Sequence, residues 1–303
     1  MVFNHLIGVR FPVGPPKYYY FTMKFLRVGD INNEKPAVLD DKGQARDLSS
    51  IILDLNPSTI NKNTIKKIEE KKINNLPLVK NPFRIGPCIS KPQKFIGVGL
   101  NYSDHAAETG MATPKEPIIF MKATSCLSGP NDDVKIPKKS KKTDWEVELG
   151  IIIGEKAQYI SEAVSQKHIF GYCIVNDVSE REFQIDRGGT WDKGKSCDTF
   201  GPVGPYLVTK DEIKDIKNLN LELKLNGNVM QKGNTNKMIF DVNYLVSYIS
   251  NFMTLLPGDI ITTGTPPGVG MARKPQIFLK AGDEMNLSID FLGSQKQKVS
   301  NLS

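Results

Sequence analysis

Apolar residues in this chain gather in short runs punctuated by glycine, proline and charge, a pattern that predicts more strands than helices. "MKFLRV" and "KPAVLDDKGQARDLS" read as short strands with a hairpin turn at "DDKG". A polar, lysine-rich helix follows at about residues 58 to 74, then the proline-punctuated connector "LPLVKNPFRIGP", with a boundary near residue 90. Beyond it come the strand "KFIGVGL" and a helical turn, "SDHAAETG", stopped by Gly110. Further strands are predicted at "PIIFMK", "WEVELGIIIG", "FGYCIVND" and "GPYLVT". "LELKLNGNVMQKG" reads as a hairpin turning at Asn226 and Gly227, a favoured turn pair. In "DVNYLVSYISNFMT" the residues Val242, Leu245, Val246, Ile249 and Met253 form one helical stripe. "DIITTG" and a last strand near "EMNLSIDF" complete the pattern. Strands and helices do not alternate strictly, so the expected class is α+β with a mixed sheet.

The organisation expected is an appendage at residues 1–22, a small N-terminal domain at 23–90 and a larger domain at 91–303, the folded chain beginning near Met23. The N-terminal stretch lacks a secretory pattern, because Arg and Pro break its apolar residues. No apolar run approaches the ~18 residues of a membrane helix.

Composition narrows the function only a little. The chain has 303 residues, 39% of them hydrophobic and 24% charged, which is ordinary for a globular protein. Its net charge of +7 has visible sources in "KKIEEKK" and "PKKSKK", read as solvated surface or an anion-attracting rim. No aromatic residues interleave with these lysines, so neither a nucleic-acid nor a membrane partner is expected. Cys88, Cys126, Cys173 and Cys197 are widely spaced and form no CxxC pair, which suits a reducing cytoplasm.

Chemistry enters at "TDWEVELGIIIG". Strand side chains alternate faces, so Glu146 and Glu148 share one, beside Asp144 if the strand begins that early. Two such charges about 6 Å apart repel by roughly 3 kcal/mol at an effective dielectric near 20. Asp177 ends the apolar strand "FGYCIVND", where a side chain emerges at a sheet's edge. The three carboxylates are hard oxygen ligands suited to Mg²⁺, Mn²⁺ or Ca²⁺, which would turn the repulsion into a binding site. A solvated strand face with Asp177 as a helix cap is the alternative. His105 and Glu108 stand three apart on a helical turn and can interact, either as a surface pair or as an oriented general base. "GGTWDKGKSCDTFGPVGP" is a constrained loop offering Lys193 and Lys195 to an oxyanion or to solvent. "TTGTPPGVG" could present the Gly264 N–H and the Thr265 hydroxyl to an anion. "TTGTPPGVG" does not match the GxxxxGK[ST] phosphate loop and "GVGLNYS" does not complete GxGxxG, so neither glycine-rich stretch supports a nucleotide.

Taken in order, "NYSDHAAE", "DWEVELGIIIG", "NDVSEREFQ", "GKSCDTFGPVGP" and "PGDIITTGTPPGVG" resemble the fumarylacetoacetate hydrolase family from about Met23 to the C-terminus. The opening "MKFLRVGD…EKPAVLDDKGQARDLS" resembles a branch labelled ureidoglycolate lyases or 2,4-diketo-3-deoxy sugar-acid hydrolases. The resemblance implies a mixed β-roll beside a small N-terminal domain, usually in a homodimer. It implies a divalent metal, commonly Mg²⁺, at Glu146, Glu148 and Asp177, with a His105–Glu108 pair and Lys195 as catalytic groups. Arg181, Gln184 and Thr265 match substrate-binding positions. Fumarylacetoacetate hydrolases proper carry a further acidic ligand upstream of the histidine, which "FIGVGLNYSDH" lacks.

The function expected is therefore metal-dependent hydrolysis of the C–C bond of a 2,4-dioxo acid, an acylpyruvate or diketo-deoxy sugar acid, to pyruvate and a second acid. The rival activities are ureidoglycolate cleavage to urea and glyoxylate and oxaloacetate decarboxylation. A metal-stabilised binding module without turnover is the rival of another class.

Overall fold

A computed structural model describes residues 23–110 and 112–302 of the chain; the expected appendage at 1–22 lies outside the described residues. Strand β1 (Lys24–Val28) pairs antiparallel with β2 (Lys35–Leu39), which turns through DDKG into β3 (Ala45–Asp47). The Asp40 carboxylate closes that turn by accepting from the Lys42 and Gln44 N–H groups. Helix α1 spans Lys62–Lys71, shorter than the lysine-rich pattern predicts. Asn61 caps it by accepting from the Thr64 N–H, while an Asn56–Thr59 turn holds the residues before it. Polar content alone does not separate such a turn from the helix that follows it.

The larger part continues with β4 (Phe95–Gly99), α2 (Ser103–Thr109), β5 (Ile118–Lys122), β6 (Val134–Ile136), β7 (Val147–Ile153) and β8 (Ile169–Asn176). A short helix α3 (Asp192–Lys195) leads to β9 (Gly201–Thr209). The hairpin β10 (Asn220–Leu225) and β11 (Asn228–Asn234) turns where expected, with φ of 51° at Asn226 and 82° at Gly227. Helix α4 (Val242–Ser250) buries Val242, Leu245, Val246 and Ile249, as the stripe predicts. Met253 lies past the helix end but still packs on the core. Strands β12 (Ile260–Thr262), β13 (Glu284–Ile289) and β14 (Gly293–Asn301) follow.

The main path of the larger sheet runs β3-β2-β1-β9-β8-β7-β12-β4-β5, and a second sheet runs β11-β10-β13-β14-β6. Pairs β12–β4 and β14–β6 are parallel and the others along these paths antiparallel, so the architecture is the mixed α+β one expected. Every residue of β7 and β8 is buried, which explains their long apolar runs, interrupted in β7 only by Glu148. β14 escaped hydrophobic patterning because its inward positions include Gln295 and Gln297. Their amides donate to backbone oxygens of Ile174, Gly204 and Pro130, and such satisfied amides are tolerated in a core. No helix among the described residues is long and apolar enough to cross a membrane, and the four cysteines are free thiols.

Candidate active site

Register brings the acidic residues together. In the β7–β8 ladder Val147 faces Asn176 and Glu148 faces Val175, so one step beyond the strand end Glu146 stands opposite Asp177. The Asp177 N–H donates to the Glu146 carbonyl at 2.9 Å, which extends the pairing by that step. Period-two alternation then puts Glu146, Glu148 and Asp177 on one face. One carboxylate oxygen from each lies within 4.8 Å of the others, and all three residues are buried.

Buried cations hold this cluster. Lys195 Nζ lies 2.6 Å from Glu146 Oε2 and 2.6 Å from Asp177 Oδ2. Lys122, at the end of β5, donates to Asp177 Oδ1 at 2.6 Å and to the Lys195 carbonyl at 2.5 Å. Arg181 spans Asp144 Oδ2 at 2.9 Å and Glu146 Oε1 at 2.6 Å, with Nη1 on Gln184 at 3.0 Å. Asp144 also accepts from the Gly270 and Met271 N–H groups, so it anchors Arg181 to the 270 loop.

Glu148 differs from its neighbours. Among the described residues it has no ion pair; its Oε2 accepts from the Thr262 hydroxyl and from the Gly264 N–H. Burial, with Asp177 and Glu146 close by, pushes its carboxyl well above the usual range. Burial would also raise Glu146, but Lys195 and Arg181 outweigh it and hold that carboxyl down at about 2. Four carboxylates thus share three cations, and the least compensated carboxylate belongs to the trio. A donor set of three converging hard oxygens with surplus negative charge fits a divalent cation. Among the described residues the buried Tyr102 hydroxyl has no hydrogen-bond partner.

Glu146, Glu148 and Asp177 line a cavity of about 280 Å³ together with His105, Arg181, Gln184, Lys195 and Thr265. Helix α2 ends at Gly110, whose left-handed φ of 69° releases the chain, and carries His105 and Glu108 on one side. His105 Nδ1 lies 3.0 Å from Glu108 Oε2, and Glu108 accepts from the Gly268 N–H at 3.1 Å. Thr265 donates its hydroxyl to the Val147 carbonyl and accepts from Gln231, so it is fixed from both sides. The sequence-derived catalytic, metal and substrate residues therefore converge on one pocket, with Glu108 reaching it through His105 rather than lining it. Lys193 does not line it: it is exposed and donates to the Arg187 carbonyl. The Gly264 N–H does meet an anion, but that anion is Glu148.

Sequence reasoning missed Lys122, whose only signal is a charge ending the apolar run "PIIFMK", and Asp144, seen only as a possible neighbour. It also missed the aromatic wall. A Cβ at Gly97 would come within 2.1 Å of Phe120, and one at Gly99 within 2.3 Å of Trp191. The rings lie over bare strand backbone and meet each other with centroids 5.5 Å apart.

The family description "fumarylacetoacetate (FAA) hydrolase C-terminal" matches residues 94–300. A protein of Burkholderia orbicola with a provisional hydrolase name is 54% identical over 280 residues, covering 92% of this chain and 99% of that one. A fumarylacetoacetate hydrolase from psychrophilic Exiguobacterium antarcticum has a similar structure, with a TM-score of 0.80 and 30% identity over 92% of this chain and 100% of its own. The maleylpyruvate hydrolase of Sphingobium sp. SYK-6, solved with manganese(II) and pyruvate, has a TM-score of 0.78 and 26% identity, covering 93% of this chain and 100% of its own. Mycobacterial proteins named as isomerases share the architecture.

Proposed function

The chain belongs to the fumarylacetoacetate hydrolase family, and on that premise we propose that it hydrolyses the C3–C4 bond of a 2,4-dioxo acid to pyruvate and a second acid. The observation that carries this reading is the meeting of Glu146, Glu148 and Asp177 with the His105–Glu108 pair in one pocket.

Glu146, Glu148 and Asp177 would hold a divalent ion, Mg²⁺ or Mn²⁺, which when bound supplies Lewis acidity at the oxo-acid end of the substrate. His105 is the general base. Glu108 accepts from Nδ1–H and leaves Nε2 to take a proton from water, while the Gly268 N–H keeps Glu108 in place. The water oxygen bonds to C4, the C3–C4 bond breaks, and its electron pair stays with C3 as the pyruvate enolate. Protonation at C3 gives pyruvate, and the hydroxyl oxygen leaves in the second acid. The Lys195 ammonium, kept charged by Asp177 and Glu146 despite burial, stabilises the developing oxyanion, a contribution of roughly 3 to 4 kcal/mol. Arg181 and Gln184 orient the substrate carboxylate. We include the homodimer in the same reading.

The isomerase names among the structural neighbours favour a second reading, in which the same groups move protons on an enol acid and no bond to carbon is cut. Incubating the Mn²⁺- or Mg²⁺-loaded protein with acylpyruvates, diketo sugar acids, oxaloacetate and ureidoglycolate decides among these. Pyruvate with an equimolar second acid supports the hydrolase. Urea with glyoxylate, pyruvate with CO₂, or an isomer without cleavage each replaces it.

A further inference from the structure

We propose that the pocket selects an oxo acid whose distal group is short, uncharged and apolar, and rejects a second carboxylate. This rests on the reading of the cavity as an oxo-acid site. The permanent cations lining the cavity are Arg181 and Lys195, and both are bound at its acidic end. Arg181 is engaged by Asp144, Glu146 and Gln184, and Lys195 by Glu146 and Asp177. Any carboxylate they orient lies beside the carboxylate trio. Apart from His105, Gln184 and Thr265, the rest of the lining is apolar: Val98, Leu100, Phe120, Ile185, Trp191 and Met271.

The apolar wall is built into the backbone. Gly97 and Gly99 leave no Cβ on that face of β4, and Phe120 and Trp191 occupy the room. The polar side chains adjoining the wall bring no charge to it: the Gln184 amide oxygen accepts from Arg181, which leaves an uncharged N–H₂, and the Thr265 hydroxyl is held by Gln231 and Val147. Arg187, two residues beyond the lining residue Ile185, pairs with Glu182 and stacks on Phe183, with its carbonyl taking the Lys193 ammonium. A distal carboxylate would therefore lose its water and gain no cation, while a propyl-sized tail would gain contact with the rings. At about 280 Å³ the cavity leaves little space beyond a short tail. Maleylpyruvate, in the name of one structural neighbour, carries a second carboxylate, as do the dioates in others. This chain would differ from them at the distal end.

Titration calorimetry of the Mn²⁺-loaded full chain with 2-oxohexanoate and 2-oxoadipate isolates the distal group, because the two acids differ only beyond the shared chain. The expected result is at least about tenfold tighter binding of 2-oxohexanoate. Equal or tighter binding of 2-oxoadipate, or no binding of 2-oxohexanoate, overturns the proposal. Trp191→Arg should narrow the gap by placing a cation in the wall; an unchanged preference in the folded variant counts against it. Pyruvate release from acetylpyruvate is read separately. Preference for 2-oxohexanoate without cleavage keeps the apolar wall and removes the hydrolase. Cleavage with preference for 2-oxoadipate does the reverse.

Discussion

Lys122 Nζ lies 2.6 Å from Asp177 Oδ1, and both side chains are sealed from solvent. The ammonium sits 5.8 Å from the centroid of the Phe95 ring and also donates to the Lys195 carbonyl, so a single side chain fixes both an acidic ligand candidate and the helix that carries Lys195. Breaking a buried pair by removing one partner costs about 3–5 kcal/mol. Lys122→Met should therefore lower the stability of the metal-free protein by that order. Added Mn²⁺ should raise the melting temperature of the variant more than that of the unaltered protein, because a cation replaces the lost charge. Thermal unfolding with and without Mn²⁺ reads both effects.

Glu148 is the trio's least compensated carboxylate, so a bound cation relieves most strain there. Mn²⁺ at a hundred times its dissociation constant should stabilise the native protein by about 2.7 kcal/mol. Glu148→Ala should show neither that stabilisation nor heat of binding. A titration in which the variant binds Mn²⁺ normally removes Glu148 from the ligand set.

The His105–Glu108 pair stands beside the trio and supplies none of its oxygens. His105→Ala should keep Mn²⁺ affinity and lose about 10²–10⁴ in kcat, the usual share of general-base catalysis. Glu108→Gln keeps the shape of the contact and should cost less. Parallel calorimetry and pyruvate assays separate loss of chemistry from loss of metal.

Asp241 caps α4 by accepting from the Asn243 and Tyr244 N–H groups. Burial would raise its carboxyl, but Lys217 and those N–H groups outweigh it and hold the value below the usual aspartate range. A depressed folded-state value contributes stability that is present above the ordinary aspartate pKa and is lost as pH falls through the folded one. Asp241→Ala should cost about 1 kcal/mol at neutral pH and less at acid pH, while Asp241→Asn keeps the cap. Denaturant unfolding at pH 7 and pH 3 tests the difference.

The bare face of β4 makes a steric prediction. Gly97→Ala would drive a methyl group into Phe120, and Gly99→Ala into Trp191. Each should cost about 1–3 kcal/mol, as inserted methyl groups do in packed interiors. Gly99→Ala should also shift the tryptophan fluorescence on binding of 2-oxohexanoate. Unchanged stability in both variants would mean that the rings are not packed as described.

Patterning recovered the elements whose period is local. The turn at Asn226 and Gly227, the apolar stripe of α4 and the buried runs of β7 and β8 were legible because each depends on residues a few positions apart. Glu146 and Glu148 were legible as a pair for the same reason. Elements that lean on distant partners were not. β14 carries glutamines inward because backbone oxygens of remote segments receive them, and although "MKFLRV" was legible as a strand, its pairing with β9 across the boundary read near residue 90 was not.

By itself the sequence determined the alternation that puts two glutamates on one strand face, the helical spacing of His105 and Glu108, and the order of motifs that marks the family. Tertiary structure alone decided that Asp177 stands opposite Glu146, that Lys122 and Lys195 enter a buried acidic cluster, and that two rings lie on a glycine-lined strand. The physical reason is range. Strand and helix periods act over a few residues, whereas charge compensation and close packing are settled among groups that only the folded chain brings within contact distance.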